Sequence, residues 1–223
     1  MAGDITSGMT GFWKLDEGLG VTTADSSVNG NTGTLVNNPL WTTGVLGGAL
    51  TFDGATTLVD IAGTTVYATQ NAPFSFSAWF NLTNFTTAAP VIMTIRTDTG
   101  HPWHVLISNL GAYLGLSVGS FGTWVTIKTD LIPSLGDWHH VVATYNGTGT
   151  GVIANFQIFL DDVAQPLSAA GGYSNQPNQS RIGDSTGSGN QWTGQIDDVR
   201  LYNRILGAAD IARLYGLPQA CQP

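Results

Sequence analysis

Apolar and polar residues alternate along much of this chain with the two-residue period of a β-strand. In residues 74–82, Phe74, Phe76 and Ala78 fall on one side of an extended chain and serines fall on the other. This pattern predicts a strand with one face in a core and one face in solvent. Comparable segments predict further strands at residues 11–15, 49–53, 57–61, 90–96, 103–108, 113–118, 124–129, 138–145, 155–160, 163–164, 181–183 and 195–202.

A single segment near the C-terminus has helical periodicity instead. Within residues 208–214, Ala208, Ile211 and Leu214 fall roughly on one side of a helix. Together these segments predict an all-β fold, a two-sheet antiparallel sandwich of about a dozen strands with one short C-terminal helix. We expect one domain over residues 9–217, between an N-terminal tail (1–8) and a C-terminal tail (218–223).

The composition supports a chain of many short strands joined by polar turns. The 223 residues include 29 glycines, and only 10% are charged, against about 25% in an average domain. The net charge is −8, with seven lysines and arginines in total. A protein that follows a nucleic-acid backbone or an anionic membrane needs a basic surface, so neither partner is expected. No apolar run approaches the length of a membrane-spanning helix.

The termini bear on the compartment in which the protein works. The first residues lack the basic and apolar stretches of a signal peptide. A cytosolic protein is one interpretation, but the polar, lysine-poor, turn-rich composition favours an excised domain of a secreted or cell-surface protein. The one cysteine, Cys221, has no internal partner for a disulfide.

The segment 194–206 combines a short strand with two adjacent acids, Asp197 and Asp198. Burying an unpaired carboxylate is costly, so a metal, a cation or backbone donors must compensate for it. Since neighbouring residues of a strand point to opposite faces, we expect the two acids to diverge. Asp198 is expected to accept a salt bridge or a backbone hydrogen bond beside Arg200.

Six ordered segments resemble the laminin-G-like jelly-roll domains of the concanavalin A-like lectin/glucanase superfamily, especially the bacterial type. They are Phe-Trp-Lys-Leu-Asp-Glu-Gly (12–18), Asp-Ser-Ser-Val-Asn-Gly-Asn-Thr-Gly (25–33), Gly-Ala-Leu-Thr-Phe-Asp-Gly (48–54), Phe-Ser-Phe-Ser-Ala-Trp-Phe (74–80), Trp-His-His-Val-Val-Ala-Thr-Tyr (138–145) and the segment 194–206. The resemblance covers nearly the whole chain and implies a jelly-roll sandwich. Val28 and residues 57–59 depart from the family pattern.

Catalysis of glycoside hydrolysis is not expected. The resemblance implies that a glycosidase of this superfamily would use a pair of acids, often two glutamates on one strand. This chain has one glutamate, Glu17. The pair Asp161-Asp162 is expected to form a β-turn between strands. A Ser-His-Asp triad stays open because its members assemble in space, although no Gly-x-Ser-x-Gly segment marks a nucleophile. We therefore predict no catalytic residues.

A calcium site is the strongest metal hypothesis. The loop that contains Asp25 and Asn29 is rich in the oxygen ligands that calcium prefers. The resemblance implies a structural calcium between this loop and an acid on the last strand, by position Asp197. Asp16, Glu17 and Asp53 are reserve candidates. Alternatively, Asp25 caps an Asx-turn and Asp197 pairs with Arg200 or Arg204.

Sugar recognition needs exposed aromatic rings beside polar groups, because a sugar ring has an apolar face and a rim of hydroxyls. Trp103, Trp124 and Trp192 lie near loops or strand ends and are the predicted ligand-binding residues. The segment 173–176 and the histidines at 101 and 104 are weaker candidates. Two functions are the main hypotheses: an extracellular module that binds a glycan or polysaccharide, and a structural or adhesion module that contacts proteins or self-assembles through its sheet edges. A glycan-cleaving enzyme with an aspartate-based or lyase mechanism stays open as a third.

Overall fold

The computed structural model describes residues 4–63, 65–69, 71–98, 103–108, 113–120, 123–149, 152–171, 178–184 and 190–220. Within them the chain forms seventeen strands, one short 3-10 helix (Ile153–Asn155) and one α-helix. The elements are β1 (Met9–Trp13), β2 (Thr22–Thr23), β3 (Gly33–Val36), β4 (Leu40–Thr43), β5 (Gly48–Asp53), β6 (Leu58–Ile61), β7 (Phe74–Leu82), β8 (Val91–Ile95), β9 (Trp103–Ser108), β10 (Tyr113–Ser120), β11 (Thr123–Lys128), β12 (His139–Tyr145), β13 (Phe156–Leu160), β14 (Val163–Ala164), β15 (Ser168–Gly171), β16 (Ser180–Ile182), β17 (Thr193–Tyr202) and α1 (Ala208–Ala220).

The strands form two antiparallel sheets. The first sheet has the order β14-β13-β12-β7-β17-β5-β4, and β1 also pairs with β17. The second has the order β15-β11-β10-β9-β8-β16-β6-β3-β2. Neighbouring strands are often distant in sequence, as expected for a jelly-roll sandwich. The predicted all-β fold with two antiparallel sheets and one helix is confirmed.

The main core lies between the two sheets and is rich in aromatic side chains. It contains three fully buried tryptophans, Trp13, Trp103 and Trp192, together with aliphatic residues from both sheets. Burial of this much apolar surface is the main term that stabilises the fold. The Asp161-Asp162 pair forms the predicted tight turn, between β13 and β14, with both residues at positive φ.

A second core covers the outer face of the first sheet, beneath α1. Its buried members are Ile5, Met9, Val142, Tyr202, Leu206, Ile211 and Leu214. As a result β7 is buried on both faces, and the expectation that its serines face solvent is wrong. Ser75 instead donates a hydrogen bond to the Arg204 carbonyl and accepts one from Leu206 N–H.

The two ends of the domain are also built into this second core. Ile5 is buried, and its carbonyl accepts a hydrogen bond from the Tyr202 hydroxyl at 3.0 Å. At the other end α1 continues to Ala220, beyond the predicted end at residue 214, and includes Pro218. No helix in the described part of the chain is both long and apolar enough to span a membrane.

Candidate functional site

Strand β17 contains a bulge where its two acids lie. Pairing with β7 shifts register between Asp197 and Arg200, and Asp198 has a φ of 52°. A bulge adds a residue to one strand and interrupts the alternation of its side chains. Both acids are buried.

Asp198 forms a buried ion pair with Arg200. Its two carboxylate oxygens accept hydrogen bonds from Arg200 Nε at 2.8 Å and Nη2 at 2.9 Å. The guanidinium lies 4.2 Å from the centre of the Phe12 ring, which is within cation–π range. The predicted salt bridge of Asp198 beside Arg200 is confirmed, and the alternative pairing of Asp197 with Arg200 or Arg204 is wrong.

Asp197 binds backbone donors instead of an arginine. Its Oδ2 accepts hydrogen bonds from the N–H groups of Val45 and Leu46, both at 2.8 Å. Its Oδ1 is buried and accepts no hydrogen bond from the described residues. Burial, together with the nearby charge of Asp198, raises the pKa of Asp197 to about 7. The carboxyl is thus poised between protonation and charge at neutral pH.

Asp25 organises the loop that follows β2. Its Oδ1 accepts hydrogen bonds from Phe12 N–H (2.9 Å) and Ser27 N–H (2.8 Å), and its Oδ2 accepts one from Asn31 N–H (2.9 Å). The Ser27 bond makes the Asx-turn that was the alternative to a calcium ligand. Asn29 donates its side-chain amide to the Thr10 carbonyl at 2.7 Å. The loop is therefore fastened to β1.

The predicted calcium residues form hydrogen bonds to different parts of the chain. Asp25 and Asn29 are bonded to β1 and to their own loop, whereas Asp197 is bonded to the β4–β5 turn. The reserve acid Glu17 accepts from Ala24 N–H, and Asp53 caps the turn that follows β5. No group of three or more acidic, histidine or cysteine side chains suited to a metal occurs among the described residues.

A groove lies on the outer side of the first sheet, between the N-terminal segment, β1, the Asp25 loop and the end of α1. We call it the β1 groove, and its volume is about 640 Å³. Its lining includes Phe12, Lys14 and Arg200, which we call its floor, and Ser26 and Val28 of the Asp25 loop, which we call its rim. A smaller depression of about 170 Å³ shares that floor and extends it toward Asp16, Leu46 and Asp198.

The predicted ligand-binding tryptophans do not form an exposed platform. Trp103 packs edge-on against Phe74 and Tyr145, and Trp192 packs against Phe80. Both rings are fully buried between the sheets, so their prediction as sugar-stacking residues is wrong. Trp124 lies in β11 opposite Gly119, and its side chain is outside the described part of the structure. Residues 101 and 173–176 are also outside it.

The sequence contains a signal for the β1 groove that does not involve the predicted ligand-binding tryptophans. Trp13 faces the core, so its neighbours Phe12 and Lys14 must point to the opposite face of β1. Phe12 pairs in register with Arg200 of β17. The alternation therefore places an aromatic ring and two cations together on an outer surface, beside a polar loop.

A laminin-G family model, described as the concanavalin A-like lectin/glucanases superfamily, matches residues 52–212, which is most of the chain. The chain belongs to this superfamily. The resemblance carried by the six sequence segments is thereby confirmed. A search of curated protein sequences finds no match to this laminin-G-like chain.

Solved structures with the same fold include carbohydrate-related and toxin domains. Domain 4 of AbnA, a GH43 extracellular arabinanase from Geobacillus stearothermophilus solved with arabinotriose, is similar over 93% of this chain and 98% of that one, with a TM-score of 0.70 and 18% identity. The binding domain of Paraclostridial Mosquitocidal Protein 1 is similar over 96% of this chain, with a TM-score of 0.69 and 13% identity.

A structure of botulinum neurotoxin type C, whose cell entry depends on interaction with two ganglioside molecules, is similar over 96% of this chain, with a TM-score of 0.69 and 14% identity. The laminin-G-like chain spans only about half of each toxin chain, 53% and 52% respectively. At these identities the similarity establishes the fold.

Proposed function

We propose that this protein is an extracellular carbohydrate-binding module that does not cleave glycosidic bonds, and that the β1 groove is its binding site. The observation that carries the proposal is the groove itself. Its volume of about 640 Å³ is within the range of small-molecule sites, about 300–1,000 Å³. It combines the ring of Phe12 with hydroxyls on the Asp25 loop.

The chemistry of the groove suits a neutral sugar. The half-buried Phe12 ring and the exposed Val28 side chain supply apolar surface, and Ser26 and Thr6 supply hydroxyls. Arg200 is neutralised by its two hydrogen bonds to Asp198, so it does not favour an anionic ligand. Lys14 Nζ lies 5.7 Å from the centre of the Phe12 ring and can donate to a sugar oxygen there. Such a mixture of apolar and hydrogen-bonding groups matches both faces of a sugar ring.

The similar structures support a sugar ligand and an extracellular location without defining the site. The arabinanase domain was solved with arabinotriose and belongs to an enzyme described as extracellular. The type C neurotoxin depends on two ganglioside molecules for cell entry. A binding role without glycosidase activity is further supported by Glu17, whose carboxylate accepts from Ala24 N–H and has no second glutamate to act with.

We also propose that calcium stabilises the domain through Asp197. Buried Oδ1 of Asp197 lacks a described hydrogen-bond donor, which fits an oxygen available to a cation. Asp25 and Asn29 already form hydrogen bonds within the protein, so they suit a calcium ligand less well than Asp197 does. They would stabilise the ion indirectly, by holding their loop in place. A bound ion would balance the negative charge of the carboxylate.

Affinity electrophoresis in gels that contain arabinan, xylan, β-glucan, pectin or galactomannan tests sugar binding. We expect retardation of the parent protein in at least one gel. Phe12→Leu and Val28→Arg should each bind at least tenfold more weakly. The first variant loses the aromatic face, and the second obstructs the rim of the groove. Tenfold corresponds to about 1.4 kcal/mol. Leu40→Ala, at an exposed apolar residue of β4 outside the groove, is the matched control. No retardation in any gel would contradict the proposal.

A structural observation also favours the alternative of self-assembly. The outermost strands of the first sheet, β4 and β14, expose Leu40 (68%) and Val163 (61%). An uncharged, exposed edge can pair with another sheet. If copies join edge to edge, sizing chromatography at rising concentration will show larger species, and Leu40→Lys will reduce them. A single species with the same elution volume at all concentrations contradicts this alternative.

A further inference from the structure

A serine, a histidine and an aspartate meet on the surface at the start of β12. Ser134 is exposed and belongs to the connection between β11 and β12. His139 is the first residue of β12, and Asp161 is in the turn between β13 and β14. Ser134 Oγ lies 2.8 Å from His139 Nε2, and His139 Nδ1 lies 2.7 Å from Asp161 Oδ2. These are the contacts of a serine nucleophile with an oriented base.

The β-turn holds Asp161 in place. Asp161 has a φ of 52°, which turns the chain directly after β13. Its N–H donates to the His140 carbonyl, and its Oδ1 accepts from His140 N–H at 2.8 Å. Only Oδ2 therefore remains for the histidine. An aspartate fixed in this way can orient the imidazole and stabilise its charged form.

The contact with Asp161 determines which nitrogen of His139 faces the serine. An ionised carboxylate accepts hydrogen bonds, so Nδ1 carries a proton and Nε2 faces Ser134. The ring also packs against Phe80, with their centres 5.7 Å apart. In the neutral imidazole, Nε2 is the acceptor for the serine hydroxyl.

A second carboxylate contacts the same serine hydroxyl. Asp137 Oδ2 lies 2.8 Å from Ser134 Oγ and is the alternative acceptor for its single hydroxyl proton. When His139 is charged, Nε2 donates to Oγ and the hydroxyl points to Asp137. Hydrogen bonding to Asp161 and the charges of Asp161 and Asp137 raise the pKa of His139. The hydroxyl consequently turns to His139 on the alkaline side.

We propose that Ser134 is an activated nucleophile that reacts with small acyl or phosphonyl esters, with His139 as its base and Asp161 as a positioning residue. This activity is independent of the proposed sugar binding. Oγ attacks the carbonyl carbon, its proton moves to Nε2, and the departing alcohol takes that proton as the ester bond breaks. Water then hydrolyses the acyl-serine by the same proton route in reverse.

An alkyl fluorophosphonate tests the proposal because it labels activated serines. Oγ forms a bond to phosphorus, the P–F bond breaks, fluoride leaves and the proton moves to Nε2. Peptide mass spectrometry of the intact folded protein should find the adduct on Ser134 at about pH 9, and at least tenfold less at about pH 5.5. Ser26, which is exposed and has no hydrogen bond to a histidine within the described part of the chain, is the internal control and should stay unlabelled.

Three variants distinguish activation from a purely structural cluster. His139→Gln should abolish labelling while thermal unfolding shows that the domain still folds. Asp161→Asn should reduce labelling at least tenfold, because the imidazole loses its orientation. Asp137→Asn should shift labelling to lower pH, because a charge that favours imidazolium is removed. Absence of an adduct on Ser134, or an adduct of equal yield in His139→Gln, overturns the proposal.

Discussion

At the scale of single residues, the Asp198–Arg200 pair is the most consequential polar contact. The pair is almost fully buried, its geometry is bidentate, and Arg200 also covers Phe12. Removing one partner of a buried pair leaves an uncompensated charge. The same ion pair therefore supports both the bulge of β17 and the floor of the β1 groove.

Asp198→Asn should destabilise the protein by about 3–5 kcal/mol. Asparagine tolerates the positive φ of this position, so the substitution isolates the loss of charge. Chemical denaturation measures the change. Asp130→Asn breaks the exposed Lys128–Asp130 pair and should cost less than about 1 kcal/mol. Equal losses in the two variants would mean that burial of the first pair has no energetic consequence.

His140 should make the protein less stable as the pH falls. Burial lowers the pKa of His140 to about 3, whereas an unfolded histidine has a pKa of about 6.5. Below about pH 6.5 the unfolded chain binds a proton that the native state excludes, so stability declines toward the native pKa. His140→Gln should flatten the dependence of the unfolding free energy on pH between about 4.5 and 6.5, by up to about 1.4 kcal/mol per pH unit.

His139 provides the control because its pKa shifts in the opposite direction to that of His140. Its pKa is raised, with the Asp161 hydrogen bond as the largest cause. Its stabilisation is complete below the unfolded pKa and is lost as the pH rises through the native pKa. His139→Gln should therefore change the dependence of the unfolding free energy on pH at alkaline pH and leave its decline at acid pH unchanged. If the stability of His140→Gln declined at acid pH as steeply as that of the parent, His140 would not be the cause of the decline.

Calcium should raise the melting temperature if it binds the folded state near Asp197, since a ligand specific to that state must stabilise it. We expect a rise when calcium is added to chelator-treated protein, and a much smaller rise for Asp197→Asn. Asp130→Asn, remote in the sequence from the proposed ligands, should respond like the parent. A melting temperature that calcium does not change would eliminate the ion from this account.

At the scale of elements, the backbones of β17 and β7 approach closely near the start of β17. Gly194 has a φ of 130°, and an added Cβ would overlap the carbonyl oxygen of Asn81 in β7. Gly216 lies in α1 and has open space around its Cα. These two glycines thus have opposite roles, one required by packing and one that only weakens a helix.

Gly194→Ala should destabilise the domain by more than about 2 kcal/mol, because it combines an unfavourable φ with a clash against the backbone. Gly216→Ala should stabilise it by about 0.5–1 kcal/mol, the difference in helix propensity. Thermal and denaturant unfolding of both variants provide the comparison. A neutral Gly194→Ala variant would show that β17 is not held as close to β7 as described.

Sequence patterns predicted the longer elements because their alternation is strong. Residues 74–82 and 138–145 correspond closely to β7 and β12. The short strands β2, β3, β4 and β15 were missed, since they hold two to four residues and carry little periodicity. Their pairing depends on tertiary context. The exposure of the serines of β7 was mispredicted because periodicity cannot show that α1 covers the second face.

At the scale of the whole molecule, the family and the fold were predictable, but the site was only partly so. Positions near loops and strand ends suggested tryptophans as the sugar platform, yet Trp103 and Trp192 fill the space between the sheets. Burial of a loop-adjacent residue depends on which strands become neighbours. The bulge at Asp198 was equally hidden, because it arises from pairing with β1, β5 and β7 rather than from a local signal.

The central claim is that the β1 groove binds a sugar, and an NMR titration of ¹⁵N-labelled protein tests it most directly. The probe is a mixture of short arabino-, xylo-, gluco- and galacto-oligosaccharides. We predict saturable amide shifts concentrated at Phe12, Lys14 and residues 26–28, and their loss in Phe12→Leu. Amides of Leu40 and Val163, at the far sheet edges, should not move. Saturable shifts confined to other surfaces, or no shifts at all, would contradict the account.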